Sequence, residues 1–511
     1  MSGVRQFRLV GGTEVANFVL SSNEVDVIEG PLGSGKTRAL CARIMRHAQE
    51  QRISSVTGSR LSRWALIRNT YPDLKRTTIR TWVEMFPEDI YGRLNWGQPP
   101  FHHLKFPHPS GDGTMVDLQV DFFALDKADD VGKLRSTEYT GIAWNELSFI
   151  FEKELFDESH SRLRYPGKEH GGSSWHGVIA DTNAPDEEHW LALMTGQVDL
   201  PPNLTDEERL EYAWPEHWGF YMQPPAVLEK LDHTGRILGY TVNPGAENLA
   251  NLPDGYYQKM IPGKSKAWID SRLRNVCVLV TDGSPVFPMF RKEIHISREV
   301  LRPVAGAGLH VGLDFGRQPA AIFGQPIGNR DYFQFELLGL NEGAATFAPK
   351  VKRFIADHYP DHNLADVLFW GDPKGQDKGQ ADERTAYEIF ATHGMKVRPP
   401  PGLKQNMITT RVDAVTSVLI SLDREGRPRG VFSPLCRTLN VGMQGRYHLT
   451  REEDGELRPK KDRYSNPADA LQYLVIGMGE GDAMVGRQRG SAGGGPVRVH
   501  RGRRSLRRVA G

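Results

Sequence analysis

The chain is poor in cysteine. Its 511 residues hold three, Cys41, Cys277 and Cys436, far apart and without CxxC spacing. That excludes a disulfide framework and a zinc knuckle, and it suits a reducing compartment. Long apolar runs are missing too. No stretch of about 18 apolar residues occurs, so no membrane-spanning helix is expected. The start, MSGVRQFRLVGGTEV, has no apolar core long enough for a signal peptide. There is no internal repeat and little net charge, +1 in all. What is present is an ordinary globular composition, 39% apolar and 25% charged, in a length that suits two or three domains.

The small net charge hides an asymmetry. After Asp482 the sequence AMVGRQRGSAGGGPVRVHRGRRSLRRVAG carries eight arginines and no acid, so the remainder stands at +1 less eight, or −7. Residues 484–511, Gly- and Arg-rich with few apolar groups, are expected to be a disordered basic tail. It reads either as a phosphate-seeking arm for nucleic acid or as a solubilising tail with no dedicated partner.

Periodicity predicts strands alternating with helices. EVDVIE reads as a short strand, and KTRALCARIMRHAQEQR as a helix with Leu40, Ile44 and Ala48 on one face. SRWALIRNT is a second apolar strand. MVDLQVDFFALD alternates, with Val116, Leu118, Val120 and Phe122 on one side and Asp117, Gln119 and Asp121 on the other. TGIAWNELSFI and WHGVIADTNAP are two more strand-to-loop units. This pattern predicts an α/β domain over 1–195 with a mainly parallel sheet. Residues 196–300 begin rich in Pro, Glu, Asp and Trp and read as a lid or linker, with a helical reading for ENLANLPDGYYQKMIPGKSKAWIDSRLRN. A new strand series opens a domain over 301–483. HVGLDFG, AAIFGQPIG and DYFQFELLGL suit an antiparallel meander. A helix near 347–358, the strand DVLFWGD, and helices at RVDAVTSVLISL and PADALQYLVIGMG follow.

Residues 30–37, GPLGSGKT, fit G-x-x-x-x-G-K-[ST] without a mismatch, after a predicted strand and opening a predicted helix. In such a phosphate loop Gly30, Gly33, Ser34 and Gly35 let backbone N–H groups close on phosphate oxygens, helped by the helix N-terminus. Lys36 reaches the β- and γ-phosphates of ATP, and the Thr37 hydroxyl ligates Mg²⁺. A chance Gly-rich turn is the bland alternative. A second element must serve metal and water. GIAWNE ends in Asn145-Glu146, where an Asp-Glu pair is usual. Glu146 can polarise the attacking water, or merely start a helix. Asn145 lacks the charge, so its support of the metal is expected to be weaker. Thr182 and Asn183 end another strand and suit a γ-phosphate sensor, or an Asx turn before Pro185. Arg68 and Arg135 are candidate arginine fingers; a finger supplied in trans requires a ring of subunits.

Three carboxylates recur downstream. Asp314 follows HVGL, Asp372 follows DVLFWG, and Asp469 lies in YSNPADALQYLVIGM. Carboxylates are the ligands Mg²⁺ and Mn²⁺ prefer. Three converging can hold two ions about 4 Å apart for in-line phosphodiester cleavage. Singly, each has a structural alternative. Asp314 can cap a turn or pair with Arg317. Asp372 can be a turn residue before Pro373. Asp469 falls at the third position of a helix if Asn466 is its N-cap. Gly316, just past Asp314, allows close approach of a strand or a DNA backbone.

In the order of these motifs the chain resembles the large terminase subunit of tailed bacteriophages, from VIEGPLGSGKT through KLRSTEYTGIAWNEL and VIADTNAP to HVGLDFG, VLFWGDPKG and YSNPADALQYL. The resemblance implies an N-terminal P-loop NTPase that moves DNA and a C-terminal RNase H-like nuclease that cuts concatemeric genomes. Lys36 and Thr37 then bind ATP and Mg²⁺, Glu146 is the catalytic acid, and Thr182 and Asn183 match a coupling motif. Asp314, Asp372 and Asp469 match the nuclease metal ligands, where Mn²⁺ can replace Mg²⁺. Implied partners are double-stranded DNA, a small terminase subunit and the portal protein of an empty procapsid, with a ring of five copies on the portal and no membrane. The implied setting is a transient packaging complex in the host bacterial cytoplasm, absent from the mature virion. Relatives often carry Asp where this chain has Asn145, and His where it has Asn466. Two other readings are a P-loop motor or helicase whose second half only binds nucleic acid, and an assembly factor using nucleotide as a folding ligand.

Overall fold

The short run VDVIE forms β1 (Val25–Glu29), buried at every position in the computed structural model. The residues described are 8–125, 130, 132, 137–200, 204–279, 283–377, 384–403, 407–423, 425–451 and 457–480. Arg135 and the basic tail of 484–511 lie outside them. The chain divides into two units, one of Met1–Leu200 with Leu204–Val280, the other of Thr281–Gly511 with Pro201–Asn203.

In the first unit the remaining strands of the main sheet are β2 (Ser59–Arg68), β3 (Leu94–Asn95), β4 (Phe101–Pro107), β5 (Met115–Ala124), β6 (Gly141–Asn145), β7 (Gly177–Thr182) and β8 (Trp218–Met222). Their order is β3-β4-β5-β2-β6-β7-β1-β8. From β5 to β8 every pair is parallel, and β3 and β4 add an antiparallel edge. Helices cover both faces, so the central strands β1, β6 and β7 are buried at every position, the acids Asp26, Glu29 and Asp181 included. One face packs Phe18 and Val19 of α1 (Glu14–Leu20), and Leu40, Ile44 and Ala48 of α2 (Lys36–Glu50), with Trp64, Leu66 and Ile179. The other gathers Val27, Ile142, Trp144, Val178 and Ala180. The expected alternation in β5 holds as far as Val120, with Val116, Leu118 and Val120 fully buried; beyond it Asp121 and Phe123 are buried as well.

Residues 204–279 pack within this unit. They form a hairpin, β9 (Val227–Leu231) with β10 (Ile237–Val242), and the helix α3 (Lys266–Leu273). The helical reading of 247–275 is broken into short pieces, because Pro253 and Pro262 cannot sit inside a helix. Residues 283–300, expected in the same lid, fall in the second unit.

The second unit carries β11 (Ser284–Pro285), β12 (His310–Asp314), β13 (Ala320–Ile327), β14 (Arg330–Leu338), β15 (Leu368–Gly371), β16 (Val397–Arg398), β17 (Gly430–Phe432), β18 (His448–Arg451) and β19 (Leu457–Pro459). Six of them form a sheet ordered β16-β15-β12-β13-β14-β17. The three central strands are the expected antiparallel meander, while β15, β16 and β17 pair in parallel. Helix α4 (Ala344–His358) packs Phe347 and Val351 on one face with Val311, Leu313 and Phe323. Helices α5 (Ile408–Ile420) and α6 (Ser465–Val475) pack Val415, Leu471 and Leu474 on the other with Ile322 and Phe333. The second unit is thus a mixed α/β arrangement, with helices on both faces of its sheet.

Two local expectations are corrected. No strand approaches Gly316, where a Cβ would meet nothing within 4 Å among the described residues. The close approach occurs at Gly312, where a Cβ would overlap Ala470 O, so α6 lies directly on β12. Asn466 is not the N-cap of α6. The turn built on Asp462, whose Oδ1 accepts from Tyr464 N at 2.9 Å, starts the helix at Ser465. Asn466 Nδ2 instead donates to Gln318 O at 2.8 Å, and Asp469 moves into the second turn.

Candidate active sites

Residues 30–37 form the link from β1 to α2. Gly33 and Gly35 have φ of 79° and 91°, which a side chain at either position would strain. A Cβ at Gly30 would overlap Gln223 Oε1 and push that side chain off Ser34. The loop borders a cleft of about 780 Å³, lined also by Glu146 and Asn248, a volume that suits a nucleoside triphosphate. Lys36 is nearly buried and turns its Nζ to Pro31 O at 3.2 Å. Three side chains from residues 223–257 hold the loop from behind. Gln223 accepts from Ser34 Oγ at 2.7 Å and donates to Ser34 O at 3.2 Å. Asn248 Nδ2 donates to Gly33 O at 2.7 Å, and Tyr257 OH to Leu32 O at 2.9 Å. No motif flagged these residues.

Strand β6 delivers Asn145 and Glu146 to the same cleft. Glu146 sits at φ 59° and ψ 60°, a left-handed conformation that a non-glycine residue holds at some cost. Its Oε2 is buried without a hydrogen-bond partner among the described residues, and its Oε1 has Arg68 Nη1 at 3.9 Å. A carboxylate so placed is available to a water or ligand in the cleft. Arg68 Nη1 also donates to Asn145 Oδ1 at 3.2 Å, and Thr78 Oγ1 to the same oxygen at 2.5 Å.

Thr182 and Asn183 form links in the framework. Thr182 Oγ1 accepts from Ser148 N at 3.0 Å, and Thr182 O from Gly30 N at 3.0 Å. Asn183 Nδ2 donates to Gly30 O at 2.7 Å. Together they tie the base of the phosphate loop to the turn that follows Glu146. Between these strands stands Asp181, a residue that no motif singled out. Its carboxylate has no exposure, accepts from Thr37 Oγ1 at 2.6 Å, and takes Asn145 Nδ2 and Glu146 N at 2.8 Å each. Burial, then Glu146, push its carboxyl above the usual range, while Lys36, Thr37 and Asn145 hold it down. An acid near the end of an otherwise apolar strand was the available signal.

In the second unit the sheet and α6 bring the three carboxylates into one field. Asp314 ends β12, and burial raises its carboxyl well above the usual range, with Asp469 and Asp372 adding to the effect and Lys461 and Arg411 opposing it. Asp469 is buried and accepts from Arg411 Nη1 at 3.3 Å, Tyr447 OH at 3.1 Å, Gln472 Nε2 at 3.2 Å and the Lys461 ammonium. Asp372 caps the turn at 373–376, accepting from Lys374 N at 3.0 Å. Among the described residues no three acid, His or Cys side chains stand close enough to share one ion. The donor chemistry nonetheless fits a hard divalent cation: Asp469 and Asp372 add to the cost of charging Asp314, and Lys461 and Arg411 now offset it. Lys461 is 66% exposed against 3% for Asp469, so its ammonium can leave for solvent. Arg411 and Lys461 were not legible from motifs.

No helix among the described residues is long and apolar enough to cross a membrane. No family model matches the chain, and no curated protein matches it. Solved structures do match, at low identity. A large terminase from a thermophilic bacteriophage is 12% identical, with 90% of this chain and 97% of that chain covered and a TM-score of 0.36. The HK97 bacteriophage large terminase is 10% identical, with 93% and 96% covered and a TM-score of 0.40. The P22 large terminase nuclease domain is 16% identical, covering 37% of this chain and 91% of its own, with a TM-score of 0.29. The solved structures to which this chain is similar over nine-tenths of its length are thus large terminases of bacteriophages.

Proposed function

We propose that the chain is a viral DNA-packaging motor subunit of the large-terminase kind. The first unit hydrolyses ATP to move double-stranded DNA into a procapsid, and the second cuts concatemeric genome. The observation that carries this reading is two separate acid sites on one chain. Glu146 lines a phosphate-loop cleft and keeps one buried carboxylate oxygen without a hydrogen-bond partner among the described residues, and Asp314, Asp372 and Asp469 share one field on a mixed sheet. Lys36 swings from Pro31 O to the phosphates, and Glu146 orients and deprotonates the attacking water. Asp314, Asp372 and Asp469 are the donors for divalent metal in the nuclease, with Lys461 giving up Asp469. Mg²⁺ or Mn²⁺, when bound, supplies charge neutralisation at phosphate and a more acidic water. The portal protein, a small terminase subunit, a five-membered ring and the host cytoplasm belong to the same proposal.

The test is plasmid DNA and Mn²⁺ supplied to the wild type and to Asp372→Ala, with ATP turnover followed in parallel on Lys36→Ala. Expected are loss of cleavage in the first variant and loss of turnover in the second. Equal cleavage by wild type and Asp372→Ala removes the nuclease site, and turnover retained by Lys36→Ala removes the ATPase site.

A further inference from the structure

The usual companion of a phosphate-loop threonine is an aspartate on the strand that also carries the catalytic glutamate. Here that position is Asn145, which brings no charge. The neighbouring strand supplies one. β6 and β7 run parallel with Asn145 directly opposite Asp181. Asp181 Oδ2 accepts the Thr37 hydroxyl proton at 2.6 Å, and its Oδ1 accepts from Asn145 Nδ2 and Glu146 N. We propose that Asp181 is the positioning carboxylate that prepares Thr37 for the divalent ion of a bound nucleotide, and that residue 145 is an amide because Asp181 occupies the opposite register position. This rests on the ATPase reading above and assigns its missing charge.

Three features of the geometry support it. A hydroxyl has one proton. Thr37 gives it to Asp181, and Asn145 Nδ2 donates to one Oγ1 lone pair at 3.4 Å, which leaves the other for a cation in the cleft that Thr37 lines. Second, an aspartate at 145 would set oxygen against oxygen where an amide N–H now donates at 2.8 Å, and two buried carboxylates at that separation cannot both ionise. Third, the amide's other end is used. Asn145 Oδ1 takes Arg68 Nη1 and Thr78 Oγ1, so the amide has a donor-side and an acceptor-side partner. The site keeps one carboxylate and displaces it by one strand.

The experiment is equilibrium binding of a fluorescent ATP analogue to the full chain, with Mg²⁺ and with EDTA. The proteins are wild type, Asp181→Asn, Asn145→Asp, the exchanged pair Asn145→Asp/Asp181→Asn, and Lys36→Ala. The readout is the Mg²⁺-dependent gain in affinity. Asp181→Asn is expected to lose about tenfold or more of that gain, with its EDTA affinity near wild type. The exchanged pair is expected to recover most of the gain. A wild-type gain retained in Asp181→Asn overturns the inference, as does wild-type nucleotide binding with no Mg²⁺ gain at all. Should Asp181→Asn not fold, the exchanged pair, which keeps one carboxylate, decides. Folding with the gain restored supports the inference, and folding without it overturns it. Absence of any nucleotide binding, or binding unaffected by Lys36→Ala, defeats the ATPase reading itself.

Discussion

Glu29 ends β1 one residue before the phosphate loop and has no exposure. Its Oε2 accepts from Gln197 Nε2 at 2.9 Å, while Oε1 is buried without a partner among the described residues. Burial pushes its carboxyl up to about 7, against smaller opposing effects of Gln197 and Lys36. The folded chain therefore keeps a proton there between about pH 4.5 and 7 that the unfolded chain has released. Stability from this group is fully present below the unfolded value and is lost as pH rises through about 7. Glu29→Gln keeps the Gln197 bond and never ionises. It is expected to match wild type near pH 4 and to exceed it by about 3 kcal/mol at pH 8. Calorimetric melting across that range checks this, and parallel curves would sink it.

At the scale of elements, Gly312 sets how α6 meets the sheet. A methyl group there would overlap Ala470 O and stand 2.6 Å from Leu474 Cβ, and neither backbone nor buried Leu474 can yield cheaply. Gly312→Ala is expected to destabilise the protein by about 1–3 kcal/mol and to shift Asp469 away from Asp314, lowering Mn²⁺-dependent cleavage. A thermal melt and a plasmid assay read both, and unchanged values in both refute the role. The same packing shows what sequence could tell. Local periodicity exposed β5, α2 and the meander, because each is written in consecutive residues. Glycine spacing exposed the phosphate loop for the same reason. The pairing of Asn145 with Asp181, and of Asp469 with Arg411, depends on strand order and helix docking between residues far apart in the chain, and Lys461 reaches Asp469 from eight residues upstream without any motif spacing to mark it. Even the helix start at Ser465 escapes a motif reading, since Asp462 and Ser465 form a local turn that competes with Asn466 for the cap.

At the scale of the whole molecule, charge is divided as sharply as structure. Eight arginines lie after Asp482, and the rest carries −7. Deleting residues 485–511 is expected to weaken binding to duplex DNA and to flatten its dependence on salt, by about 0.9 in logarithmic slope for each phosphate no longer neutralised. A slope unchanged by the deletion would leave the tail a solubilising segment. The first unit holds a subtler division of labour. Gln223, Asn248 and Tyr257 fasten Ser34, Gly33 and Leu32, three consecutive residues of the phosphate loop, to one later segment of chain. Any change in the loop's path on binding or releasing nucleotide must break those bonds or carry the segment along. Thermodynamically the two are linked: whatever free energy nucleotide invests in one shape of the loop is, by reciprocity, a preference imposed on residues 223–257. Any ligand that altered the loop's shape would in this sense be registered at residues 223–257, through three hydrogen-bonded side chains.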